Sequence, residues 1–113
     1  MKIIKSDGYK EINSNTCGRL VELCNNPGVP ISITKAINLK PTTEHAHKKS
    51  TEIYWLLSGT LEMVVEKENI KLNEGDIIVM SPGEFHKVTK ASEENVVVVL
   101  STPPWSPTDE FIK

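Results

Sequence analysis

The sequence predicts an all-β fold, either a sandwich or a barrel. Short runs rich in β-branched and aromatic residues recur along the 113 residues, and turns that contain Pro, Gly or Asn separate them. No amphipathic helix of ordinary length is apparent. The one helix candidate is a turn or two at residues 106–111, where Ser106 would cap and Pro107 would take the first helical position. The length suits one domain over residues 1–113 and leaves no room for a second.

Eight runs predict strands, and their alternation shows which side chains share a face. The pattern is clearest in the fourth run, where Leu61, Met63 and Val65 lie on one side and Glu62 and Glu66 on the other. In chain order the runs cover residues 18–24, 31–39, 52–57, 60–67, 70–72, 76–80, 86–89 and 96–100.

Two of these runs carry large side chains with a defined parity. In the second run, Lys35 interrupts a face of four aliphatic residues with period two, which are Ile31, Ile33, Ile37 and Leu39. In the third run, Tyr54 and Leu56 share the parity of Glu52, so we expect them to line the barrel interior. Trp55 lies on the opposite face, and we expect it to pack between sheets or at a subunit contact.

Composition argues against several classes of function. A formal net charge of −2, a pI of about 5.9 and a single arginine, Arg19, do not suit a nucleic-acid surface. The longest apolar run, residues 96–100, is far shorter than the roughly 20 residues of a membrane helix. Residues 1–7 lack the apolar core of a signal peptide, which predicts a cytoplasmic protein. In that reducing compartment we expect Cys17 and Cys24 to be thiols and not a disulfide.

The three histidines are the strongest candidates for chemistry. His45 and His47 are two residues apart, so on an extended strand both imidazoles project from one face. Glu52 begins the next run, and His86 follows the turn at Pro82-Gly83. Three imidazoles and one carboxylate suit Fe, Mn, Ni, Co or Zn, and a six-coordinate ion would keep two positions open. A pair of the form H-x-H is weak evidence alone, because solvated strands carry it by chance and carbonic anhydrases also use it.

The spacing around these residues resembles the first motif of the cupin family, H-x-H-x(3,4)-E-x(6)-G. His45, His47, Glu52 and Gly59 match it at every defined position. This motif supplies three of the family's four metal ligands, so the resemblance implies that these two histidines and the glutamate bind a metal ion.

The second cupin motif, G-x(5)-P-x-G-x(2)-H, resembles the segment from Gly75 to His86. Gly75, Gly83 and His86 stand at the matching positions, and Ser81 stands where the family has proline, although Pro82 follows at once. Both motifs occur in the family's order, and the resemblance covers about residues 31–101. By resemblance, His86 is the fourth ligand.

The resemblance to cupins implies a double-stranded β-helix, or jelly-roll barrel. It also implies one divalent transition-metal ion on His45, His47, Glu52 and His86, a small-molecule ligand and a homodimer, while the composition argues against a membrane or nucleic-acid partner. Residues 102–113 form a Pro-rich tail like the closing segment of many single-domain cupins.

Four further side chains are candidates for substrate binding: Tyr54, Met63, Phe85 and Trp105. For Met63 the alternative is core packing. For Trp105 we expect either a lid over the barrel near Phe85 or a contact in the dimer. Proline on both sides of this aromatic residue keeps the segment extended and unfit to be a central strand.

Three functions remain open at this point. The first is a metalloenzyme, such as a dioxygenase or isomerase, that acts on a small organic acid, sugar or aromatic molecule. The second is a non-catalytic, metal-dependent sensor or binding module, and the third is a barrel with a structural metal. Open coordination positions favour the first two, because structural sites tend to be closed. We favour the enzyme, although fold alone does not determine chemistry.

Overall fold

The computed structural model describes residues 1–12 and 18–112, and it is built almost entirely from β-strands. A 3-10 turn at Ser6–Gly8 is the only helical element within these residues, none of which belong to a helix able to cross a membrane. The all-β prediction is therefore confirmed. The strands are β1 (Lys10–Ile12), β2 (Arg19–Cys24), β3 (Ser32–Ile37), β4 (His45–His47), β5 (Thr51–Ser58), β6 (Leu61–Val65), β7 (Glu68–Leu72), β8 (Ile77–Met80), β9 (His86–Ala91), β10 (Val96–Thr102) and β11 (Glu110–Ile112).

The strands form two antiparallel sheets that face each other. The larger sheet has the order β1-β2-β3-β10-β5-β8 and the smaller has the order β11-β4-β9-β6-β7. Strands far apart in the chain are neighbours, since β10 lies between β3 and β5, and β9 lies between β4 and β6. This arrangement confirms the predicted jelly-roll barrel.

The apolar core lies between the sheets. The predicted alternation in β6 is observed, because Leu61, Met63 and Val65 are buried. They pack with Leu56 of β5 and Val88 of β9, which are also fully buried. Met63 thus has the core position that was the alternative to substrate binding.

The aliphatic face of β3 is the outer face of the larger sheet. Ile33 and Ile37 are half-buried there, whereas Ser32 and Ala36 point inward and are buried. Small inward side chains leave room for a cavity beside the core, which large ones would fill. Leu39 is buried because the chain turns at Asn38, which has a positive φ of 55°.

The tail corrects the predicted helix at residues 106–111. A single turn is closed by the hydrogen bond from Asp109 N to Ser106 O (3.1 Å), and β11 follows it. Pairing with the free edge of β4 gives β11 backbone partners that a short helix on the surface would lack. The tail is consequently an edge strand of the smaller sheet and not a helix.

One of the two cysteines lies within the described residues. Cys24 is a buried free thiol that lies 3.8 Å from the carbonyl oxygen of Ile31. Cys17 lies outside the described residues, so the expectation of two thiols stays a prediction.

Candidate metal centre

The two sheets bring together the four side chains predicted as ligands. His45 of β4 and His86 of β9 are direct cross-strand partners, and His47 lies two residues further along β4. Glu52 approaches from β5 of the opposite sheet. One nitrogen or oxygen from each of the four lies within 4.8 Å of the others. The cluster is buried except for His45, which is half-buried.

Backbone carbonyls determine which nitrogen of two histidines carries the proton. His45 Nδ1 lies 2.8 Å from Thr43 O, and His86 Nδ1 lies 3.0 Å from Glu84 O. A carbonyl oxygen only accepts hydrogen bonds, so each Nδ1 is the donor. In a neutral imidazole this leaves Nε2 with an exposed lone pair, which is the form that binds metals.

The Nε2 atoms meet an acceptor where a donor would be expected. His86 Nε2 lies 2.9 Å from Glu52 Oε1, although a neutral His86 with its proton on Nδ1 has none to donate there. His47 Nε2 is buried, lies 3.2 Å from Glu52 Oε2, and has no hydrogen bond within the described structure. An imidazole lone pair that faces a buried carboxylate is stable only around a shared cation, which is either a proton or a metal ion. The residues therefore fit a divalent transition metal.

Charge pairing dominates the titration of this cluster. Burial raises the pKa of Glu52, but the pairing with His47 and His86, once they carry a proton, outweighs it and lowers the pKa from 4.5 to about 2. Burial likewise lowers the pKa of His47, and the pairing with Glu52 reverses this and raises it above 6.5. Glu52 is thus an anion at neutral pH and attracts a cation to the site.

The turn that joins His47 to Glu52 is held by the tail. The carboxylate of Asp109 accepts hydrogen bonds from Lys49 N (2.9 Å) and Ser50 N (3.1 Å). Burial raises the pKa of Asp109, but these backbone donors outweigh it and lower the pKa below 3.8. Asp109 thus holds the turn through its backbone and has no hydrogen bond to a predicted ligand.

A glycine turn holds His47 from the other side. Gly83 N donates to His47 O at 2.8 Å, and Gly83 has a positive φ of 84°, which residues with a Cβ rarely adopt. This turn directly precedes His86, so one short segment positions both histidines.

A cavity of about 340 Å³ opens beside the cluster. Two of the four residues predicted for substrate binding, Tyr54 and Trp105, line it together with His45 and Glu52. Met63 lies in the core instead, and the Phe85 ring packs edge-on against Phe111 at a centroid distance of 5.2 Å. The backbone of Trp105 is held by Ser32 Oγ and by the Asn25 amide, both from the larger sheet side of the cavity.

Two acidic side chains of the cavity wall were not predicted from the sequence. Glu110 Oε1 lies 3.9 Å from His45 Nε2, and Glu22 of β2 lines the opposite part of the cavity. Neither residue belongs to a motif. The parity of β2, where Leu20 and Glu22 both face inward, was the only available signal for Glu22.

Comparison with known proteins agrees with this geometry. A family profile described as the cupin domain matches residues 37–102, which is more than half of the chain. The chain belongs to the cupin family. This cupin is also 31% identical, over 99% of its length and 96% of the relative's, to the uncharacterized protein MJ1618 of Methanocaldococcus jannaschii.

Solved structures share the whole fold of this cupin. Pac13 of Streptomyces, described as a unique nucleoside dehydratase, superposes with a TM-score of 0.77 at 16% identity. The superposition covers 100% of this chain and 94% of the Pac13 chain. KdgF from Halomonas sp. gives 0.80 at 15% identity, covering 96% and 98%. A protein from Planctomyces limnophilus gives 0.81 at 19% identity, covering 99% and 96%. At such identities the likeness supports the fold alone.

Proposed function

We propose that this cupin binds one divalent transition-metal ion and acts on a small organic molecule held in the adjacent cavity. The ligands are His45, His47, Glu52 and His86. The observation that carries the proposal is the buried Nε2 of His47, which has no hydrogen bond and lies 3.2 Å from a carboxylate that already faces another imidazole. The bound ion would act as a Lewis acid, and four protein donors leave it positions for substrate.

The surrounding residues prepare the cavity for a ligand. Two backbone carbonyls hold the rings of His45 and His86 so that their Nε2 atoms face inward. Tyr54 and Trp105 add aromatic wall, which reduces the access of water. Pac13, a neighbour with the same fold, is a nucleoside dehydratase, and its variants have been solved with uridine. A catalytic role in oxidation, isomerisation or a related reaction is thus our first choice, and a metal-dependent binding module is the alternative.

Elemental analysis of purified protein tests the metal site. Wild type is expected to hold about one transition-metal ion per chain, and His47→Ala and His86→Ala to hold almost none. Lys90→Ala, an exposed change on the same strand as His86, is the matched control and should keep the ion. Equal metal content in all four proteins would refute the site.

Removal of the metal separates an open site from a structural one. Chelation is expected to abolish ligand binding or turnover while the far-UV circular dichroism stays β-rich. Collapse of the fold on chelation would favour the structural role instead. Binding without turnover, under conditions where the metal is loaded, would favour the binding module over the enzyme.

We also propose a homodimer that buries the outer face of the larger sheet. Two rows of apolar side chains cross this face at direct cross-strand positions. Ile77 and Val79 are each 57% exposed and Trp55 is 42% exposed, which is unusual for large apolar groups gathered on one surface. The rows are Val79-Ile53-Leu100-Ile33 and Ile77-Trp55-Val98-Lys35.

A second copy of the chain suits this outer face. Lys35 is the only charged residue in the two rows, so the face is best covered by another apolar surface. In a dimer with two-fold symmetry, the same face of the second copy provides that surface. Val79→Glu is expected to shift the mass in light scattering at micromolar concentration from a dimer to the 12.6 kDa monomer. Lys71→Glu, exposed on the smaller sheet, should leave the dimer intact. A wild-type protein with the monomer mass would overturn this proposal.

A further inference from the structure

The cavity extends well beyond the metal ligands, across the inner face of the larger sheet. Glu22 of β2, Thr34 of β3, Val99 of β10 and Tyr54 of β5 are cross-strand neighbours in one row, and all four line the cavity. With strands about 4.8 Å apart, this row spans roughly 14 Å. A ligand that fills the cavity would therefore contact the histidines at one end and Glu22 at the other.

The charge of the cavity wall has one sign. Glu22, Glu52 and Glu110 line it, and no lysine or arginine does so among the described residues. Lys10, the cross-strand partner of Glu22 on β1, is exposed and lines a neighbouring groove that Glu22 also borders. Outside the described residues the sequence holds one charged residue, Lys113. An anionic group inside this cavity would thus lose hydration and meet carboxylates, and no cationic side chain of the cavity wall would compensate.

The polar groups of the wall are available for hydrogen bonds. Neither the Glu22 carboxylate nor the hydroxyls of Thr34 and Ser101 pair with another described residue, and all three side chains line the cavity. Trp105, Leu20 and other apolar side chains line the same cavity. Carboxylate and hydroxyl groups beside an aromatic ring form a surface suited to a molecule that has hydroxyls on its edges and C–H groups on its face.

We propose that the cavity selects an uncharged, hydroxylated molecule between a monosaccharide and a nucleoside in size, and that Glu22 determines this specificity. The ligand directs one end to the metal, which rests on the proposed function, and donates hydroxyl hydrogen bonds to Glu22 at the other. A volume of about 340 Å³ lies near the lower limit of small-molecule sites, which hold about 300–1,000 Å³. Glu22 is a binding residue for the far end of the ligand and touches no metal ligand.

Matched pairs of ligands that differ only in charge test the proposal. The probes are methyl glucoside with methyl glucuronide, and adenosine with its 5′-monophosphate, each titrated into zinc-loaded protein and followed by amide chemical shifts. In at least one pair the neutral member should bind about tenfold or more tightly than the anionic one, a difference equal to a single like-charge contact. Glu22→Gln should reduce that ratio several-fold with little change in neutral binding.

A charge reversal with a matched control completes the test. Glu22→Lys should favour the anionic member by about tenfold relative to wild type, while Glu74→Lys, the same change on an exposed turn outside the cavity, should not. Equal shifts in the two variants, tighter wild-type binding of the anion in both pairs, or no binding of either neutral probe at tens of millimolar would each overturn the proposal. Metal content is measured on the same samples. If the metal is absent but the protein still prefers the neutral probe, the proposed function alone is refuted. If the metal is bound but the protein does not prefer the neutral probe, the role of Glu22 alone is refuted.

Discussion

Two buried polar clusters of this barrel differ in how their donors and acceptors match. Around Asn95, Oδ1 accepts from Leu39 N at 2.9 Å, and Nδ2 donates to Leu39 O at 3.1 Å and to Ser92 O at 2.9 Å. At the metal centre, His86 Nε2 and Glu52 Oε1 face each other as acceptors, and His47 Nε2 has no hydrogen bond. We call the first the closed cluster and the second the open cluster.

Complementarity distinguishes the two clusters where burial does not. Asn95 and His86 are each 1% exposed. The closed cluster joins the end of β3 to the turn before β10, and its atoms need nothing from outside the chain. The open cluster holds lone pairs together at a cost that only a cation offsets. A buried polar residue therefore indicates a binding site only when its partners are of the wrong type.

The largest effect is expected when Asn95→Ala and His86→Ala are compared in stability and in metal content. Asn95→Ala leaves the backbone groups of Leu39 and the carbonyl of Ser92 unpaired. The free energy of unfolding, measured in urea, should therefore fall by about 2–4 kcal/mol. Metal bound per folded chain should stay unchanged. His86→Ala should do the reverse, with loss of the metal and a smaller change in the stability of metal-free protein.

The opposite pattern would contradict the distinction between the clusters. If Asn95→Ala removes the metal from folded protein, the closed cluster takes part in binding. If His86→Ala costs metal-free protein as much as Asn95→Ala, the open cluster is structural. Thr89→Ala, an exposed change on β9, controls for substitution in that strand.

The four open-cluster residues were predicted together because they match the two spaced motifs of the cupin family. The closed cluster was not, since residues 92–95 have the composition of any polar loop and the partner Leu39 is 56 residues away. Most strands were also predictable, because a buried face with period two requires apolar residues at alternate positions. Prediction failed where that requirement is absent.

Three elements show this failure. In strand β3 Ser32 and Ala36 lie inward and the aliphatic face lies outward, an orientation that alternation alone did not specify. Strand β11 has three residues and exists because the edge of β4 offers it partners. Glu22 faces the cavity because β2 pairs with β3, and no local pattern indicates that pairing. In each, a distant segment decides the structure.

Acid should weaken the open cluster and not the closed one in metal-free protein. The pKa of Glu52 falls from 4.5 to about 2 on folding, so its contribution is complete above pH 4.5 and is lost as the pH falls toward 2. The contribution is at most roughly 3 kcal/mol. The pKa of His47 rises above 6.5, so the same pairing is complete below pH 6.5 and is lost as the pH rises through the folded value.

Unfolding of chelator-treated protein across pH measures this effect. Wild type should be most stable between about pH 4.5 and 6.5, and Glu52→Gln should flatten the curve on both sides. Asn95→Ala should lower the curve by a similar amount at every pH, because an amide does not titrate. Parallel curves for wild type and Glu52→Gln would show that the pairing is absent without metal.

The smallest effect is expected from Asp109, which holds the open cluster without belonging to it. Its carboxylate accepts from Lys49 N and Ser50 N in the turn between His47 and Glu52, so Asp109→Ala should loosen that turn while all four ligands remain. Groups that orient metal ligands typically contribute 10–100-fold in affinity, and we expect about tenfold because Asp109 acts through the backbone. Competition with a chromophoric chelator measures the metal affinity.

Two further variants serve as controls. Asp109→Asn keeps an acceptor for one of the two donors, so its metal affinity should lie between those of wild type and Asp109→Ala. Thr108→Ala, exposed on the same turn, should have the affinity of wild type. Equal metal affinity in all four proteins would mean that the ligands are positioned by their own strands, and that the tail only covers the barrel edge.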